Sequence, residues 1–268
     1  MNILNTIVEN KRTEVMKQKR RRPLSGIKDF SCYKRETNRI DPVKLEECPG
    51  IIAEFKRRSP SKGAINEQAA PLDVAAGYRG AGVAAMSILT DSRFFGGSFR
   101  DLLDVRNAFP DLALLRKDFI IDPYQIHESS ACGADMVLLI ASILERSQVA
   151  DLALEARKLG LQVLFEVHDG RELEKYHPSI GFVGVNNRDL NTFRVDTGKS
   201  RELIQHMPEG ITAVSESGIN GIHDIEALWK SGFRLFLIGE NLMVEKDPGV
   251  ACKALIEQMI KKCTTQKK

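Results

Sequence analysis

A short apolar run passes directly into a burst of charge in the stretch Ile51-Ile52-Ala53-Glu54-Phe55-Lys56-Arg57-Arg58-Ser59-Pro60-Ser61. Side chains two apart on a strand share a face, so Glu54 and Lys56 are predicted to point the same way where the strand ends. Ser59-Pro60-Ser61 then interrupts regular structure and offers hydroxyls and backbone amides. An acid beside a base suits chemistry on an anionic substrate, and a solvated ion pair is the alternative interpretation.

The same order of features recurs along the rest of the chain. A run rich in Val, Ile, Leu and Phe is followed by a polar or Gly-bearing loop, and then by a helical pattern. The predicted strands cover residues 51–55, 83–89, 112–116, 136–140, 162–167, 182–185, 212–215 and 235–238. The predicted helices between them cover residues 72–79, 99–108, 123–132, 145–159, 170–176, 199–206, 222–230 and 248–262.

Several of these helices carry start and stop signals. Asp122-Pro123 and Asp247-Pro248 each place an N-cap before a proline at the first helical position. Four glycines lie where helices are predicted to end, namely Gly80, Gly133, Gly160 and Gly232. Before the first strand, residues 1–19 are predicted to form a helix, and Asp41-Pro42 starts a short one.

The strands are continuous apolar runs rather than alternations, which is typical of a parallel sheet covered on both faces. Eight strand–helix units over about 200 residues match a (β/α)8 barrel in size and count. A doubly wound sheet is the alternative, but its usual Gly-rich turn is missing after the first strand. We therefore predict a single-domain α/β protein, with an N-terminal helical extension at 1–48 and a TIM barrel at 49–262.

The composition excludes several classes of protein. With 39 basic and 36 acidic residues, the net charge of +3 does not indicate nucleic-acid binding, although the basic run at 17–22 leaves an RNA or membrane contact as an alternative. Five widely spaced cysteines and five histidines without helical pairing predict no disulfide framework and no metal site. His168, just past a strand, is the histidine best placed for a role. Without a signal peptide or an apolar span, we expect a reduced, cytoplasmic protein.

Active sites of such barrels lie at the carboxyl ends of the strands, and most predicted strands here end in polar residues. We expect crowding to lower lysine pKa values and burial to raise carboxyl ones, both toward neutrality. The polar residues at these strand ends include Glu54, Lys56, Lys117, Glu166, Asn186, Arg188 and Glu216.

Glycines follow the last two strands, as Ser217-Gly218 and as Gly239-Glu240. Barrels frequently bind phosphate at these two loops, through backbone N–H groups and a short helix. Glycine lets the backbone approach phosphate oxygens, while ordinary tight turns are the alternative. We predict a phosphate site here, to which Glu240 contributes its backbone N–H.

Six motifs follow one another along the chain. They are IAEFKRRSPS at 52–61, SILTD at 87–91, RKDFI at 116–120, GVNNRDL at 184–190, SESGI at 215–219 and LIGE at 237–240. Together they resemble indole-3-glycerol-phosphate synthase of tryptophan biosynthesis, from about residue 1 to 260. The resemblance implies a (β/α)8 barrel and no metal or organic cofactor. It also implies a phosphorylated small-molecule substrate, no nucleic-acid or membrane partner, and other tryptophan-pathway enzymes as partners.

The resemblance also implies roles in closing the pyrrole ring of 1-(2-carboxyphenylamino)-1-deoxyribulose 5-phosphate and in losing carbon dioxide and water. Lys117 matches the general acid that protonates the ketone, and Lys56 matches a residue near the substrate carboxylate. Glu54 and Glu166 match carboxylates for proton removal and loss of the hydroxyl, and which of them serves which step stays open. Two further polar residues match the lining of the site, Asn186 and Glu216.

Binding roles follow from the same resemblance. Phe95 and Phe119 match apolar walls around the anthranilate ring, and Arg188 matches a residue near the charged groups of the substrate. The phosphate side is matched by Ser59, Ser217, Gly218, Gly239 and Glu240. The chain departs from the family pattern at Asn187 and Asn241, where serine or another small residue is expected.

Three alternatives remain open at this point. One is another phosphate-binding barrel enzyme, such as a sugar-phosphate isomerase or a Schiff-base aldolase using Lys117. Another is a scaffold or nucleic-acid binder that uses the basic run at 17–22. The third is a paralogue without activity, although each expected catalytic position is occupied. The extension at 1–48 could also cover the site and move on binding.

Overall fold

We describe the fold from a computed structural model, which covers residues 3–189 and 192–266. Within this part of the chain, eight parallel strands close into one barrel, which confirms the predicted fold class. In chain order, they are β1 Gly50–Phe55, β2 Ala85–Leu89, β3 Leu114–Lys117, β4 Met136–Ile140, β5 Gln162–Val167, β6 Phe182–Asn186, β7 Thr212–Glu216 and β8 Leu235–Ile238. Strand β1 pairs with β2 on one side and with β8 on the other, and this closes the sheet.

The predicted strands agree with the structure except at some ends. The predictions for β4, β5 and β8 are confirmed at both ends. Strand β2 begins two residues later than predicted, because the N–H of Val83 still donates to Tyr78 O of the preceding helix. Strands β6 and β7 each run one residue further than predicted, so Asn186 and Glu216 belong to the strands themselves.

Helices surround the barrel and precede it. They are α1 Ile3–Arg21, α2 Leu24–Lys28, α3 Pro42–Glu47, α4 Pro71–Ala81, α5 Ser92–Phe95, α6 Phe99–Ala108, α7 Pro123–Ala131, α8 Arg146–Lys158, α9 Gly198–Leu203, α10 Ile222–Lys230, α11 Glu240–Met243 and α12 Pro248–Gln266. The helix predicted at 170–176 is a 3-10 turn, Glu172–Lys175, and the one predicted at 199–206 ends in a 3-10 turn, Ile204–His206.

The helix signals read from the sequence are mostly confirmed. Asp122 accepts a hydrogen bond from Tyr124 N, and Asp247 accepts one from Val250 N. Gly80 is the exception, because α4 continues to Ala81 and the left-handed residue after it is Gly82, with a φ of 82°. The predicted glycine stops with positive φ are Gly133, Gly160 and Gly232. Met1 and Asn2 of the predicted first helix, and Leu190 of the fourth motif, lie outside the described residues.

Two apolar layers hold the barrel together. One fills its interior and includes Ile52, Leu115 and Leu138, while the other lies between the strands and the outer helices. The extension closes both ends of the interior layer. Leu4 of α1 packs onto it at the carboxyl ends of the strands, and Leu45 of α3 packs onto it at their amino ends. The extension therefore completes the barrel core.

One disulfide contradicts the expected fully reduced protein. Cys48 and Cys263 are bonded, with their Cα atoms 5.6 Å apart and a sequence separation of 215 residues. Cys48 lies two residues before β1, and α12 returns to this point, so the closed barrel brings the two together. The structure leaves Cys32, Cys132 and Cys252 as buried free thiols. Among the described helices, none combines the length and the apolar character needed to cross a membrane.

Candidate active site

The predicted site residues converge at the carboxyl ends of the strands. One cavity at this rim is lined by Glu54, Lys56, Ser59, Phe95, Lys117, Phe119, Glu166, Asn186, Arg188, Glu216, Ser217 and Glu240. An adjoining cavity contains Gly218 and Gly239, and it shares Glu54, Lys56 and Arg188 with the first. The structure thus brings every predicted site residue to one place.

Lys117 is the centre of the first cavity. Its Nζ lies 3.4 Å from Glu166 Oε2, 3.6 Å from Glu216 Oε2 and 4.0 Å from Glu54 Oε2. Lys117 and Glu216 are the last residues of β3 and β7, and Glu54 and Glu166 are the last but one of β1 and β5. The alternation of side chains along each strand directs all four into the barrel. The carboxyl groups of Glu54, Glu166 and Glu216 are buried, with exposed side-chain fractions of 5%, 2% and 1%. Buried charges of this kind require partners, and Lys117 is the partner they share.

Lys56 forms a second acid–base pair at the same rim. Its Nζ lies 2.8 Å from Glu54 Oε1, so Glu54 is shared between Lys56 and Lys117. Across the cavity, Asn186 Nδ2 donates to Glu166 Oε1 over 3.2 Å. The interpretation of Glu54 and Lys56 as a solvated pair is excluded by this burial. Glu54 is instead held by Lys56 and Lys117, and Glu166 by Asn186 and Lys117.

The three carboxyl groups of this cluster have different pKa values. Burial and the nearby charge of Glu166 raise the pKa of Glu216 to about 8. Burial alone would also raise the pKa values of Glu54 and Glu166, but nearby cations lower both below the ordinary value. For Glu54 these cations are Lys56 and Lys117. Carboxyl groups held at different pKa values can take separate acid and base roles.

Lys117 contradicts the expected direction of its pKa shift. Burial would lower its pKa, but Glu166, Glu216 and Glu54 together raise it above the usual lysine range. The expectation treated the strand-end cations as neighbours of one another. The folded barrel instead surrounds this ammonium with carboxylates, because β1, β5 and β7 direct theirs to the same point. Lys117 is therefore an ammonium in the structure.

Two glycines make room for these carboxylates. A Cβ at Gly184 would lie 2.2 Å from Glu216 Oε1, and a Cβ at Gly239 would lie 2.6 Å from Glu54 Oε1. Both distances are shorter than any real side chain tolerates, so each carboxylate occupies space that another residue type would fill. The sequence suggested that Gly239 gives phosphate access, and its contact with Glu54 is a second reason for glycine there.

Apolar side chains line one flank of the cavity. The ring centroids of Phe95 and Phe119 are 6.0 Å apart, with 36° between the ring planes. Further apolar lining comes from α1 and from the barrel interior, through Ile3, Leu4, Ile7, Leu89, Leu138 and Ile140. The extension was expected to cover the site, and its apolar residues Ile3, Leu4 and Ile7 line the cavity.

A strained turn borders the adjoining cavity. Ser217 has a φ of 66° and Gly218 a φ of 73°, and a Cβ at Gly218 would lie 2.2 Å from Val195 Cγ1. A non-glycine residue in this conformation is uncommon and needs support from its surroundings. Buried Asn187 supplies it, donating through Nδ2 to Ser217 O over 3.0 Å. Asn241 also holds this loop, donating through Nδ2 to Ile219 O over 2.6 Å.

Cations face the same cavity. Glu240 lies between two of them, with Oε1 3.2 Å from Lys62 Nζ and Oε2 3.1 Å from Arg188 Nη2. Lys62 belongs to the turn of a short hairpin, formed by Arg58–Ser59 and Gly63–Ala64, that the sequence analysis missed. Two-residue strands leave no periodic signal. The basic run at 17–22 lies on the extension instead, where Lys19 pairs with Asp122 at 2.7 Å.

These features define a class of protein, a (β/α)8 barrel with a buried lysine–carboxylate cluster beside a pocket bordered by cations and glycine turns. Among the described residues, no group of His, Cys, Asp and Glu is arranged to hold a metal ion. A family model for indole-3-glycerol phosphate synthase matches residues 4–255. The chain therefore belongs to the indole-3-glycerol phosphate synthase family, an enzyme family of tryptophan biosynthesis, and this confirms the resemblance read from the six motifs.

Individual relatives carry the same name. The indole-3-glycerol phosphate synthase of Bacteroides thetaiotaomicron is 43% identical over 249 residues, covering 92% of this chain and 95% of the relative. That of Bacillus velezensis is 45% identical over 210 residues, covering 77% and 83%. The enzyme of Salinibacter ruber is 40% identical over 257 residues, covering 95% of each chain. Similarity at this level over nearly the whole chain supports the same function.

Solved structures agree on the fold. The 3-hexulose-6-phosphate synthase of Salmonella typhimurium superposes with a TM-score of 0.64 at 10% identity, covering 79% of this chain and 99% of its own. KGPDC from Streptococcus mutans superposes with a TM-score of 0.62 at 12% identity, covering 80% and 98%. At such low sequence identity, these two structures support the fold alone.

Proposed function

We propose that the two cavities bind 1-(2-carboxyphenylamino)-1-deoxyribulose 5-phosphate and convert it to indole-3-glycerol phosphate, a carboxy-lyase reaction. The observation that carries the proposal is the contact of Lys117 with Glu54, Glu166 and Glu216, beside aromatic walls and a pocket suited to an anion. The substrate needs these three environments together: a proton donor at its ketone, an apolar place for its ring and a site for its phosphate.

Binding orients the substrate before any bond changes. Phe95 and Phe119 hold the anthranilate ring, while the phosphate lies at Ser217, Gly218 and Gly239, ahead of the first turn of α11. Arg188 binds the phosphate with its guanidinium after its ion pair with Glu240 breaks. Fixing both ends of a flexible substrate brings its ring carbon toward its ketone, and such positioning supplies a large share of a cyclisation.

Ring closure then depends on Lys117. The ring carbon that bears the carboxylate attacks the ketone carbon, and the ketone oxygen takes a proton from the Lys117 ammonium. The positive charge also stabilises the oxygen as negative charge develops on it. The carboxylate leaves as carbon dioxide and its electron pair restores the aromatic ring. Lys56, at the same rim, is placed to balance the carboxylate until it leaves.

Loss of water completes the sequence. The new hydroxyl leaves with a proton from an acid, while a base removes a proton from the methylene carbon next to the ring nitrogen, so that the second double bond forms. Glu54 and Glu166 are the ionised carboxylates within the cluster and are suited to the base role. Protonated Glu216 and the lysine ammonium groups are suited to the acid role.

A Schiff-base aldolase is disfavoured by the same cluster. A lysine that forms a Schiff base must be neutral when it attacks a carbonyl, and such lysines have depressed pKa values. The pKa of Lys117 is raised by its carboxylates. Borohydride added with a carbonyl substrate should therefore trap no covalent adduct on Lys117, and a trapped adduct would reverse this preference.

The test is turnover of the purified protein, followed by the fluorescence of the indole product. We expect product from the phosphorylated substrate, and a much higher KM for the same compound without its phosphate. No indole from the phosphorylated substrate between pH 6 and 9, in protein that is folded by circular dichroism, would reject the proposal. Two further expectations also stay predictions, namely a cytoplasmic location and association with other tryptophan-pathway enzymes.

A further inference from the structure

His168 lies behind the carboxylate of Glu166, two residues further along the chain. Its Nε2 is 3.4 Å from Glu166 Oε1, on the opposite side of that carboxylate from Lys117. The His168 side chain is 13% exposed, and it does not line the substrate cavity. The Nε2 atom is buried, and among the described residues no acceptor meets the angular requirements of a hydrogen bond with it. Glu166 is thus the nearest available partner.

Glu172 anchors His168 from the other side. Glu172 Oε2 accepts a hydrogen bond from the backbone N of His168 over 2.6 Å and lies 3.3 Å from its Nδ1. The ring therefore lies between two carboxylates, Glu166 on β5 and Glu172 on the 3-10 turn that replaces the predicted helix. Lys199 on α9 is the opposing charge that faces it. An imidazole between two carboxylates favours the cationic form.

Glu166 needs such a neighbour because Glu216 competes with it for a proton. Both carboxyl groups contact the Nζ of Lys117, and their titrations are linked by proximity. Glu166 would have a second cation beside it, whereas Glu216 has only the shared Lys117. The pKa of Glu166 would then lie below that of Glu216. The site then has one ionised carboxylate and one protonated carboxyl group, as acid and base roles require.

We propose that cationic His168, anchored by Glu172, is a positioning residue that keeps Glu166 ionised and directed at Lys117, and leaves the competing proton on Glu216. The inference rests on the proposed function, because it concerns the same acid–base cluster. Burial alone would lower the pKa of His168, but Glu172 and Glu166 raise it above the ordinary value. Turnover should therefore decline as pH rises and His168 loses its charge.

The first experiment compares kcat and KM across pH for the wild type, H168Q, E172Q and H177Q. Glutamine at 168 keeps a donor near the Nε2 position but cannot titrate. We expect kcat of H168Q to fall about tenfold near neutral pH with KM unchanged, because the variant removes a charge 3.4 Å from the buried carboxylate of Glu166. The alkaline decline should flatten in H168Q and move to lower pH in E172Q. H177Q should match the wild type, because His177 contacts Ser179 on the same connection and not the cluster.

The second experiment follows the histidine ring signals of the wild-type protein by NMR as pH changes. One ring should titrate above the ordinary value of about 6.5, and its signal should be absent from H168Q. If H168Q does not fold, variants of the other histidines assign the signal by elimination. A His168 ring that titrates at or below the ordinary value would overturn the inference, as would an H168Q profile identical to that of the wild type. Ring titration needs no turnover, so absent activity would count against the proposed function and not against this geometry.

Discussion

Lys11 and Lys117 both lie among carboxylates, and they differ in how closely those groups approach. Lys11 Nζ is 2.9 Å from Glu14 Oε2, 3.1 Å from Asp91 Oδ2 and 2.9 Å from Asp118 Oδ1. The contacts of Lys117 lie between 3.4 and 4.0 Å. The Lys11 side chain is 1% exposed, against 16% for Lys117, which faces the cavity. The two lysines are next to each other in space through Asp118, the residue after Lys117.

The carboxylates around the two lysines differ as well. Asp118 also accepts a hydrogen bond from Thr90 Oγ1 over 2.7 Å and pairs with Arg116 at 2.9 Å. The charges of Lys11 and Arg116 hold the pKa of Asp118 well below the ordinary value, against the effect of burial. Glu216 has no such support, and both its oxygens lack a hydrogen-bond partner in the described part of the chain. Closely paired charges hold structure in place, whereas a carboxyl group whose pKa is raised to near neutrality remains available for proton transfer. We infer that the cluster around Lys11 fastens α1 to the barrel, whereas the cluster around Lys117 is suited to proton transfer.

Replacing Lys117 should have the largest effect. We expect Lys117→Met to lower kcat about 10³-fold, because it removes both a positioned proton donor and the charge that stabilises the ketone oxygen. Lys117→Arg keeps the charge, but a guanidinium does not release its proton, so kcat should fall comparably while folding is preserved. Steady-state kinetics on both variants test this. Near wild-type turnover by Lys117→Arg would mean that charge alone suffices.

Replacing Lys11 should affect stability instead of turnover. Lys11→Met leaves buried Asp91 and Asp118 without their shared cation, and breaking a buried pair in this way costs about 3–5 kcal/mol. Denaturant unfolding measures the loss. The matched control is Lys19→Met on the same helix, whose exposed pair with Asp122 is worth less than about 1 kcal/mol. Equal stability of Lys11→Met and the wild type would contradict a fastening role for this cluster.

The sequence predicted far more of the reactive cluster than of the fastening one. Glu54, Lys117, Glu166 and Glu216 each lie in the last two positions of a strand, and the rule that barrel sites lie at strand ends is enough to group them. Lys11 is one of several polar residues on an amphipathic helix, and no local pattern marks it as buried. Its partners come from the loops after two strands, so their meeting depends on how α1 docks.

Three other features of the structure could not be predicted from the sequence. The pairing of Cys48 with Cys263 depends on where α12 ends relative to β1, which spacing along the chain does not reveal. The direction of the Lys117 pKa shift depends on which side chains from three other strands face it. His168 was visible as a residue just past a strand, but its partner Glu172 lies on a turn that the sequence analysis predicted as helix. Long-range contacts determine the first two features, whereas the third depends on a local turn that the helical pattern did not predict.

The raised pKa of Glu216 can be tested through the pH dependence of folding stability. Its folded pKa of about 8 lies above the unfolded value of about 4.3, so the unfolded state loses this proton first as pH rises. Stability should therefore fall between these two pH values, by on the order of 1 kcal/mol per pH unit, and level off above them. Comparing denaturant unfolding of Glu216→Gln and the wild type isolates the effect, because the variant lacks it.

Glu54→Gln is the control of opposite sign. The folded pKa of Glu54 is lowered, so its stabilising contribution is present above the unfolded value and is lost as pH falls. The wild type should thus lose stability relative to Glu54→Gln toward acid pH, and relative to Glu216→Gln toward alkaline pH. Parallel pH profiles for Glu216→Gln and the wild type would show that Glu216 is already ionised at neutral pH in the folded protein.

The smallest expected effect concerns Asn241, which departs from the family pattern yet holds the turn at Gly218. Its Nδ2 donates to Ile219 O, and the hydrogen bond joins the loop after β7 to α11. Asn241→Ala should raise KM about fivefold with kcat unchanged, because a net hydrogen bond is worth about 1 kcal/mol. Asn241→Ser should behave alike, since serine is too short to reach Ile219 O.

The substrate without its phosphate provides the internal control for Asn241. If the side chain acts by shaping the anion pocket, its removal should leave the KM of the dephosphorylated compound unchanged, because that compound makes no use of the pocket. An equal rise in both KM values would instead mean that Asn241 acts on the barrel rim as a whole. The ratio of the two KM values therefore reports on the loop directly, and it separates binding of the phosphate from the reactive cluster around Lys117.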